Sequence, residues 1–258
     1  MNKELLADPS LATAVAAIVR RAGDLILSIY ETDFAVRGKA DASPVTEADE
    51  RAEALIVPAL QALAPEVPIV AEEAVAAGSV PEIGAWFWLV DPLDGTKEFV
   101  SRNGEFTVNV ALIHEGRPVL GAVLAPVPGR LFVGVEGQGA WVEQGGTRRA
   151  IRCRAVPAEG LTVVASRSHG DAAALEAFLA GRRVAQLTNA GSSLKLCLVA
   201  AGEADLYPRL GRTMEWDIAA GHGVLAAAGG SVKTLAGAPL RYGKPGFENP
   251  YFAASGAA

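Results

Sequence analysis

Apolar positions recur at helical spacing near the start of the chain. Between residues 4 and 31, Leu11, Val15, Ile18, Val19, Ala22 and Leu25 fall about 3.6 residues apart, which predicts an amphipathic helix. Residues 38–44 are polar and turn-rich and read as a loop. A second helix is expected over residues 46–63, before Pro65 and Pro68 break it. Ile69-Val70-Ala71 is then a short apolar run ending in two acids, Glu72-Glu73. Residues 85–90 are continuously apolar and bounded by Asp91-Pro92, the pattern of a strand buried on both faces whose ladder the proline ends. Residues 106–114, 118–125, 131–135 and 140–142 continue as a meander with glycine-containing turns, predicting a mainly antiparallel sheet.

From about residue 151 the pattern changes. Strands at 163–166 and 183–187 alternate with helices at 171–180, 193–201 and 217–228. No internal repeat, low-complexity segment or long linker interrupts the chain. The organisation expected is an α+β fold of two lobes, 1–150 and 151–258, forming one catalytic unit with a soft boundary.

Composition narrows the class. Half of the 258 residues are apolar, enough for a large core. The apolarity comes largely from alanine and valine, and no uninterrupted run reaches the ~18–20 residues of a membrane span. Met1-Asn2-Lys3-Glu4 does not read as a secretory signal. A net charge of −6 without a Lys/Arg run argues against duplex nucleic acid as partner. Cys153 and Cys197 form no CxxC or Cys/His cluster, so two buried thiols in a reducing cytoplasm are expected. Peripheral inner-membrane association and oligomeric state are left open.

The chemistry concentrates in Trp88-Leu89-Val90-Asp91-Pro92-Leu93-Asp94-Gly95-Thr96-Lys97. A buried strand ends and delivers two carboxylates three residues apart. Gly95 permits close backbone approach, and Thr96 can cap a following helix. Such hard oxygen ligands suit magnesium, and a helix start presents N–H groups to a phosphate. For a lone Asp-x-x-Asp, a capped turn with solvated acids would be the ordinary reading. Here Glu72 also follows a short strand, and Asp217 opens an alanine-rich helix after Met214-Glu215-Trp216, although a plain N-cap is the commoner role there.

Together, Glu72-Glu73, the Asp91-Pro92-Leu93-Asp94-Gly95-Thr96 loop and Trp216-Asp217 resemble the signature of the inositol monophosphatase superfamily, in its order and approximate spacing. The resemblance spans residues 44–230. It implies the layered αβαβα sandwich of that fold and about two or three magnesium ions per site. Glu72, Asp91, the Leu93 carbonyl, Asp94 and Asp217 would be the metal ligands. Val45-Thr46-Glu47-Ala48-Asp49 resembles a helix-start motif whose acid, Asp49, works with Thr96 on the attacking water, beside Glu72. A solvated acid in a helix's first turn is the plainer reading of Asp49.

Within the superfamily, residues 94–109, 164–169, 191–202 and 205–209 resemble the 3′(2′),5′-bisphosphate nucleotidases of the CysQ type. Lys97-Glu98 and Asn103-Gly104-Glu105 stand where inositol monophosphatases differ. The implied reaction is in-line attack of water on the 3′-phosphate of adenosine 3′,5′-bisphosphate (PAP), or of its 5′-phosphosulfate counterpart (PAPS), with inhibition by lithium. Gly95 and Thr96 would hold phosphate oxygens through their N–H groups, and Asp217 would also meet the substrate. Gly191-Ser192-Ser193 before a helix offers hydroxyls and free N–H groups to an anion, with Lys195, Arg167 and Arg209 to offset a second phosphate. The plainer alternatives are a simple cap and a solvated Lys195. His169 could touch the nucleotide; His114 and His222 read as structural. The alternative activity is an inositol-1-phosphatase with relaxed specificity. A non-catalytic phosphate-binding protein and a calcium-binding module are weaker readings, since every acid is present and no EF-hand spacing occurs.

Overall fold

The computed structural model describes residues 8–38, 44–166 and 172–256. Helix α1 (Pro9–Tyr30) starts after Asp8, whose carboxylate accepts the Ser10 N–H at 2.8 Å. Proline at the first helical position is tolerated because no intrahelical N–H is needed there. Residues 4–7 lie outside the described residues. Leu11, Val15, Ile18, Val19, Ala22 and Ile26 form the buried stripe, and Leu25 stays half-buried beside it.

Strands β1 (Val36–Gly38) and β2 (Pro44–Thr46) pair antiparallel across a stretch expected to be loop, whose residues 39–43 lie outside the described residues. Helix α2 (Glu47–Leu63) is opened by a capping box: Thr46 Oγ1 accepts the Ala48 N–H at 3.1 Å and Asp49 Oδ2 accepts the Thr46 N–H at 2.8 Å. β3 (Ile69–Ala71), α3 (Glu72–Ala76), β4 (Trp86–Asp94) and α4 (Thr96–Val100) follow. Strands β5 (Thr107–His114), β6 (Arg117–Ala125), β7 (Arg130–Val135), β8 (Gly139–Gln144) and β9 (Thr147–Ile151) complete a sheet ordered β3 to β9. All its pairs are antiparallel except β3 with β4. The hydrophobic pattern does not announce β9, an exposed strand at the sheet's margin with only Ile151 buried.

One expectation about β4 fails. The strand does not end at Asp91-Pro92 but runs to Asp94, because pairing jumps from Asp91 opposite Asn109 to Asp94 opposite Thr107. The extra residue is a β-bulge, where proline's missing N–H costs no ladder bond.

The second sheet contains β10 (Leu161–Ser166), β11 (Val184–Ala190), β12 (Leu206–Arg209), β13 (Ser231–Thr234) and β14 (Phe252–Ser255), in the order β11-β10-β12-β14-β13. β10 is parallel to β11 and β12, while β14 is antiparallel to β12 and β13. Helix α5 (Ala172–Leu179) is the crossover between β10 and β11. The remaining helices are α6 (Leu194–Ala200) and α7 (Glu215–Ala227). α1 and α2 cover one face of the first sheet; α6 and α7 fill the space between its other face and the second sheet. With α5 this is an αβαβα sandwich. α7 is buried along most of its length, which explains its apolarity on every side. It lies so close to the sheet that a Cβ at Gly121 would fall 2.1 Å from the Ala220 carbonyl oxygen.

Cys197 is buried, but Cys153 is only half-buried, so the expectation of two buried thiols holds for one; neither forms a disulfide. Among the described residues, no helix is long and apolar enough to cross a membrane. His114 stacks on Trp86 with ring centroids 3.9 Å apart.

His222 lies on α7 with Nδ1 2.8 Å from the Tyr242 hydroxyl. Burial pushes its imidazole down to about 3, against about 6.5 in an unfolded chain. Between those values the unfolded chain takes the proton and the folded one refuses it. The stability the neutral ring contributes is therefore present above about pH 6.5 and lost as pH falls toward 3. Denaturant titrations should show the stability gap between the parent and His222→Gln shrinking by about 2 kcal/mol from pH 7.5 to 4.5. A gap independent of pH would mean the folded protein protonates His222 freely.

Candidate active site

Parallel pairing sets Ala71 beside Val90, so the residues that follow, Glu72 and Asp91, emerge side by side at one end of the sheet. Glu72 opens α3, while Asp91 is 1% exposed and accepts the Leu93 N–H on Oδ1 at 3.0 Å. From the other half of the chain, the first turn of α7 brings Asp217. One carboxylate oxygen from each of Glu72, Asp91 and Asp217 lies within 4.8 Å of the other two. Asp217 is the third residue of α7 rather than its first, and its Oδ2 accepts the Met214 N–H at 2.9 Å. Capping and clustering are thus compatible here.

Asp94 stands just beyond the bulge. It is not one of the three clustered acids; its Oδ2 accepts the Ser193 N–H at 2.5 Å and faces the Asn109 amide at 3.4 Å. Leu93 lies in the bulge with its side chain buried and its carbonyl 3.4 Å from the Thr96 hydroxyl. Thr96 does not cap α4. Gly95 takes that position at φ 94°, a left-handed conformation that suits glycine, and the Thr96 hydroxyl donates instead to Asp49 Oδ1 at 3.1 Å. Asp49 is 1% exposed, so it is not the solvated acid of the plainer reading. The capping box that starts α2 thereby presents the other oxygen of Asp49 to the site.

The electrostatics follow from crowding acids in a dry place. Burial pushes Asp94 up to about 6, helped by Glu98 and Glu72 and opposed by Lys195 and the Ser193 N–H. Burial first, then Asp94 and Glu72, holds Asp217 well above the usual carboxylate range. Hard oxygen donors that cannot all ionise together fit a bound divalent cation, whose charge would reverse that repulsion.

Across the cavity, the Gly191–Ser193 loop differs from its expected form. Two of its N–H groups are taken: Gly191 donates to Glu105 Oε2 at 2.9 Å, and Ser193 to Asp94. The hydroxyls of Ser192 and Ser193 are buried without a hydrogen-bond partner. Ser192 holds φ 46°, the left-handed region. Lys195 is not solvated. It is 3% exposed, donating to the carbonyls of Ala190 at 3.2 Å and Ser192 at 2.6 Å, with its ammonium 5.3 Å from the Tyr207 ring centroid. It braces the loop. The Arg209 guanidinium donates to Ser166 Oγ at 3.2 Å and the Arg212 carbonyl at 2.6 Å. Arg167 and His169 lie outside the described residues.

Glu72, Asp94, Gly95, Thr96, Ser192, Ser193, Lys195, Arg209 and Asp217 all line one cavity of about 700 Å³. The supporting roles of Asn109 and Glu53 escaped sequence reasoning, and Glu105 reads in sequence only as a mark of specificity. Asn109, 0% exposed, sits opposite Asp91; a polar residue inside an otherwise apolar strand was its signal. Glu105 ties one sheet's flank to the loop on the other half. Glu53 follows Asp49 by one helical turn and carried no signal beyond that spacing.

An acid cluster built from strand ends and a helix start, between two sheets, is an arrangement found in known proteins. The inositol monophosphatase family model matches residues 7–254, and the chain belongs to that family. Within it, the chain is 48% identical over 244 residues to the 3′(2′),5′-bisphosphate nucleotidase CysQ of Escherichia coli K12, covering 93% of this chain and 98% of that one. The crystal structure of CysQ from Bacteroides thetaiotaomicron matches with a TM-score of 0.81 at 39% identity, over 96% of this chain and 98% of that one. The inositol monophosphatase of Anabaena sp. PCC 7120 matches with a TM-score of 0.76 at 25% identity, over 96% and 91%.

Proposed function

We propose that this protein is a magnesium-dependent 3′(2′),5′-bisphosphate nucleotidase that hydrolyses the 3′-phosphate of PAP to adenosine 5′-monophosphate and phosphate, and acts on PAPS as well. The observation that carries the reading is one cavity in which Glu72 and Asp217, clustered with the buried Asp91, face Lys195 and Arg209. The relatives named as CysQ nucleotidases along nearly the whole chain support the choice of substrate. About two or three magnesium ions would be held by Glu72, Asp91, the Leu93 carbonyl, Asp94 and Asp217, supplying Lewis acidity and a lowered water pKa when bound.

The chain's own groups do the rest. The Thr96 hydroxyl gives its hydrogen to Asp49 Oδ1, so its lone pairs are available to accept a hydrogen from the attacking water. Asp49 draws the proton off through Thr96 and is itself held by Thr46 on its other oxygen. Gly95 and Thr96, at the start of α4, face the equatorial oxygens of the reacting phosphate. Arg209 offsets the second phosphate, and Ser192 and Ser193 line the substrate's side of the cavity. Lobes 1–150 and 151–258 act as one catalytic unit, since each supplies acids to the site. A cytoplasmic setting belongs to the same reading, supported by two cysteines outside any disulfide.

A phosphate-release assay with PAP, PAPS, inositol 1-phosphate and fructose 1,6-bisphosphate tests the assignment. PAP should exceed inositol 1-phosphate in kcat/KM by about a hundredfold or more. Faster turnover of inositol 1-phosphate would establish the alternative activity instead.

A further inference from the structure

We infer that Glu53 is a positioning residue for metal binding: its buried carboxylate fixes the start of α3 and with it the Glu72 carboxylate. This rests on the reading that Glu72, Asp91 and Asp217 hold the cation. Glu53 is 9% exposed and lies on α2 one turn beyond Asp49, so both point from one face of that helix. Its Oε2 accepts the Glu73 N–H and its Oε1 the Ala74 N–H, each at 2.8 Å. Those are the second and third residues of α3, whose N-cap, Ala71, has no side chain able to serve them. Glu72 is the first residue of the same turn. A buried carboxylate gripping two successive N–H groups therefore sets both the direction in which Glu72 leaves β3 and its distance from Asp91. The same helix sets Asp49 against Thr96. α2 thus aligns an acid of the cluster with the water-orienting pair, though Glu53 touches no reacting atom.

An uncharged glutamine at position 53 keeps one acceptor and turns an NH₂ group toward the other N–H. The rigid grip on α3 is lost while the volume is kept. The test is manganese binding to metal-free protein, read from the electron paramagnetic resonance signal of free Mn²⁺, alongside melting curves. Glu53→Gln should fold and bind Mn²⁺ about tenfold or more weakly, the size expected when a group orienting a ligand is removed. Asp205→Asn is the control. Asp205 is also a buried carboxylate, accepting a backbone N–H from Thr162 and the Arg154 guanidinium, but it lies at the second sheet. It should lose melting temperature without losing Mn²⁺ affinity. Glu53→Gln binding as tightly as the parent, or losing no more than Asp205→Asn, overturns the inference. A Glu53→Gln chain that fails to fold overturns it as well, because the carboxylate would then be holding the fold rather than the ligand. Asp91→Asn in the same titration separates the two levels. Undiminished binding there would sink the metal reading itself, whereas loss there with none in Glu53→Gln would sink only the role of Glu53.

Discussion

Asp91→Asn should fold like the parent and lose at least about 10³ of its turnover, the several kcal/mol that metal chemistry supplies to a phosphoryl transition state. The fold should survive because the Leu93 N–H that Asp91 Oδ1 accepts at 3.0 Å can be accepted equally by an amide oxygen. In metal-free protein the substitution removes a carboxyl from a dry cluster in which burial first, and neighbouring acids after it, hold Asp94 and Asp217 above their usual range. Its melting temperature without metal should therefore match or exceed the parent's. With magnesium added, the parent's melting temperature should rise and the variant's should rise less, because only the intact cluster binds tightly. Parental turnover in Asp91→Asn, or full parental activity in excess chelator, would end the metal mechanism.

Gly121→Val should destabilise the protein by about 3 kcal/mol or more, at the upper end for overpacking, because the obstruction is backbone and cannot rotate away. A Cβ at this position would meet the Ala220 carbonyl oxygen at 2.1 Å and the Val224 nitrogen at 3.1 Å, both in α7. To admit a side chain, α7 must lift from the sheet. Asp217 sits in the first turn of that helix, so turnover should fall together with stability. Gly84→Ala is the matched control. Gly84 is exposed, its φ is not positive and nothing lies within 4 Å of an added Cβ, so the change should stay within about 0.5 kcal/mol. Chemical denaturation decides it. Equal effects of the two substitutions would show that α7 does not rest on β6 as closely as the structure has it.

Gly121 also shows where reading along the chain stops. In sequence it is an unremarked glycine within a strand, and only α7, a hundred residues later, gives it a reason. Lys195 makes the same point from the opposite side. A lysine early in a helix reads as solvated or as a phosphate ligand, yet here it is buried against the carbonyls of its own loop. Glu98 and Glu105 resembled marks of specificity. Glu98 is buried, and Glu105 holds Gly191 in place.

The hydrophobic pattern by itself determined α1, α2, the meander of the first sheet and the alternation of the second half, because periodicity reports which face of an element is dry. The order of acids around Asp91, with Glu72 before and Asp217 after, pointed to a metal-assisted chemistry through its resemblance to the inositol monophosphatase signature. What only the tertiary structure decided were matters of distance between residues far apart in the chain. These were the bulge that carries β4 past Pro92, the placing of Gly95 rather than Thr96 at the cap of α4, the capture of the Gly191 and Ser193 N–H groups, and the grip of Glu53 on α3. Each depends on a hydrogen bond or a steric contact whose partner lies elsewhere in sequence, and such short-range forces act only after packing has brought the partners together.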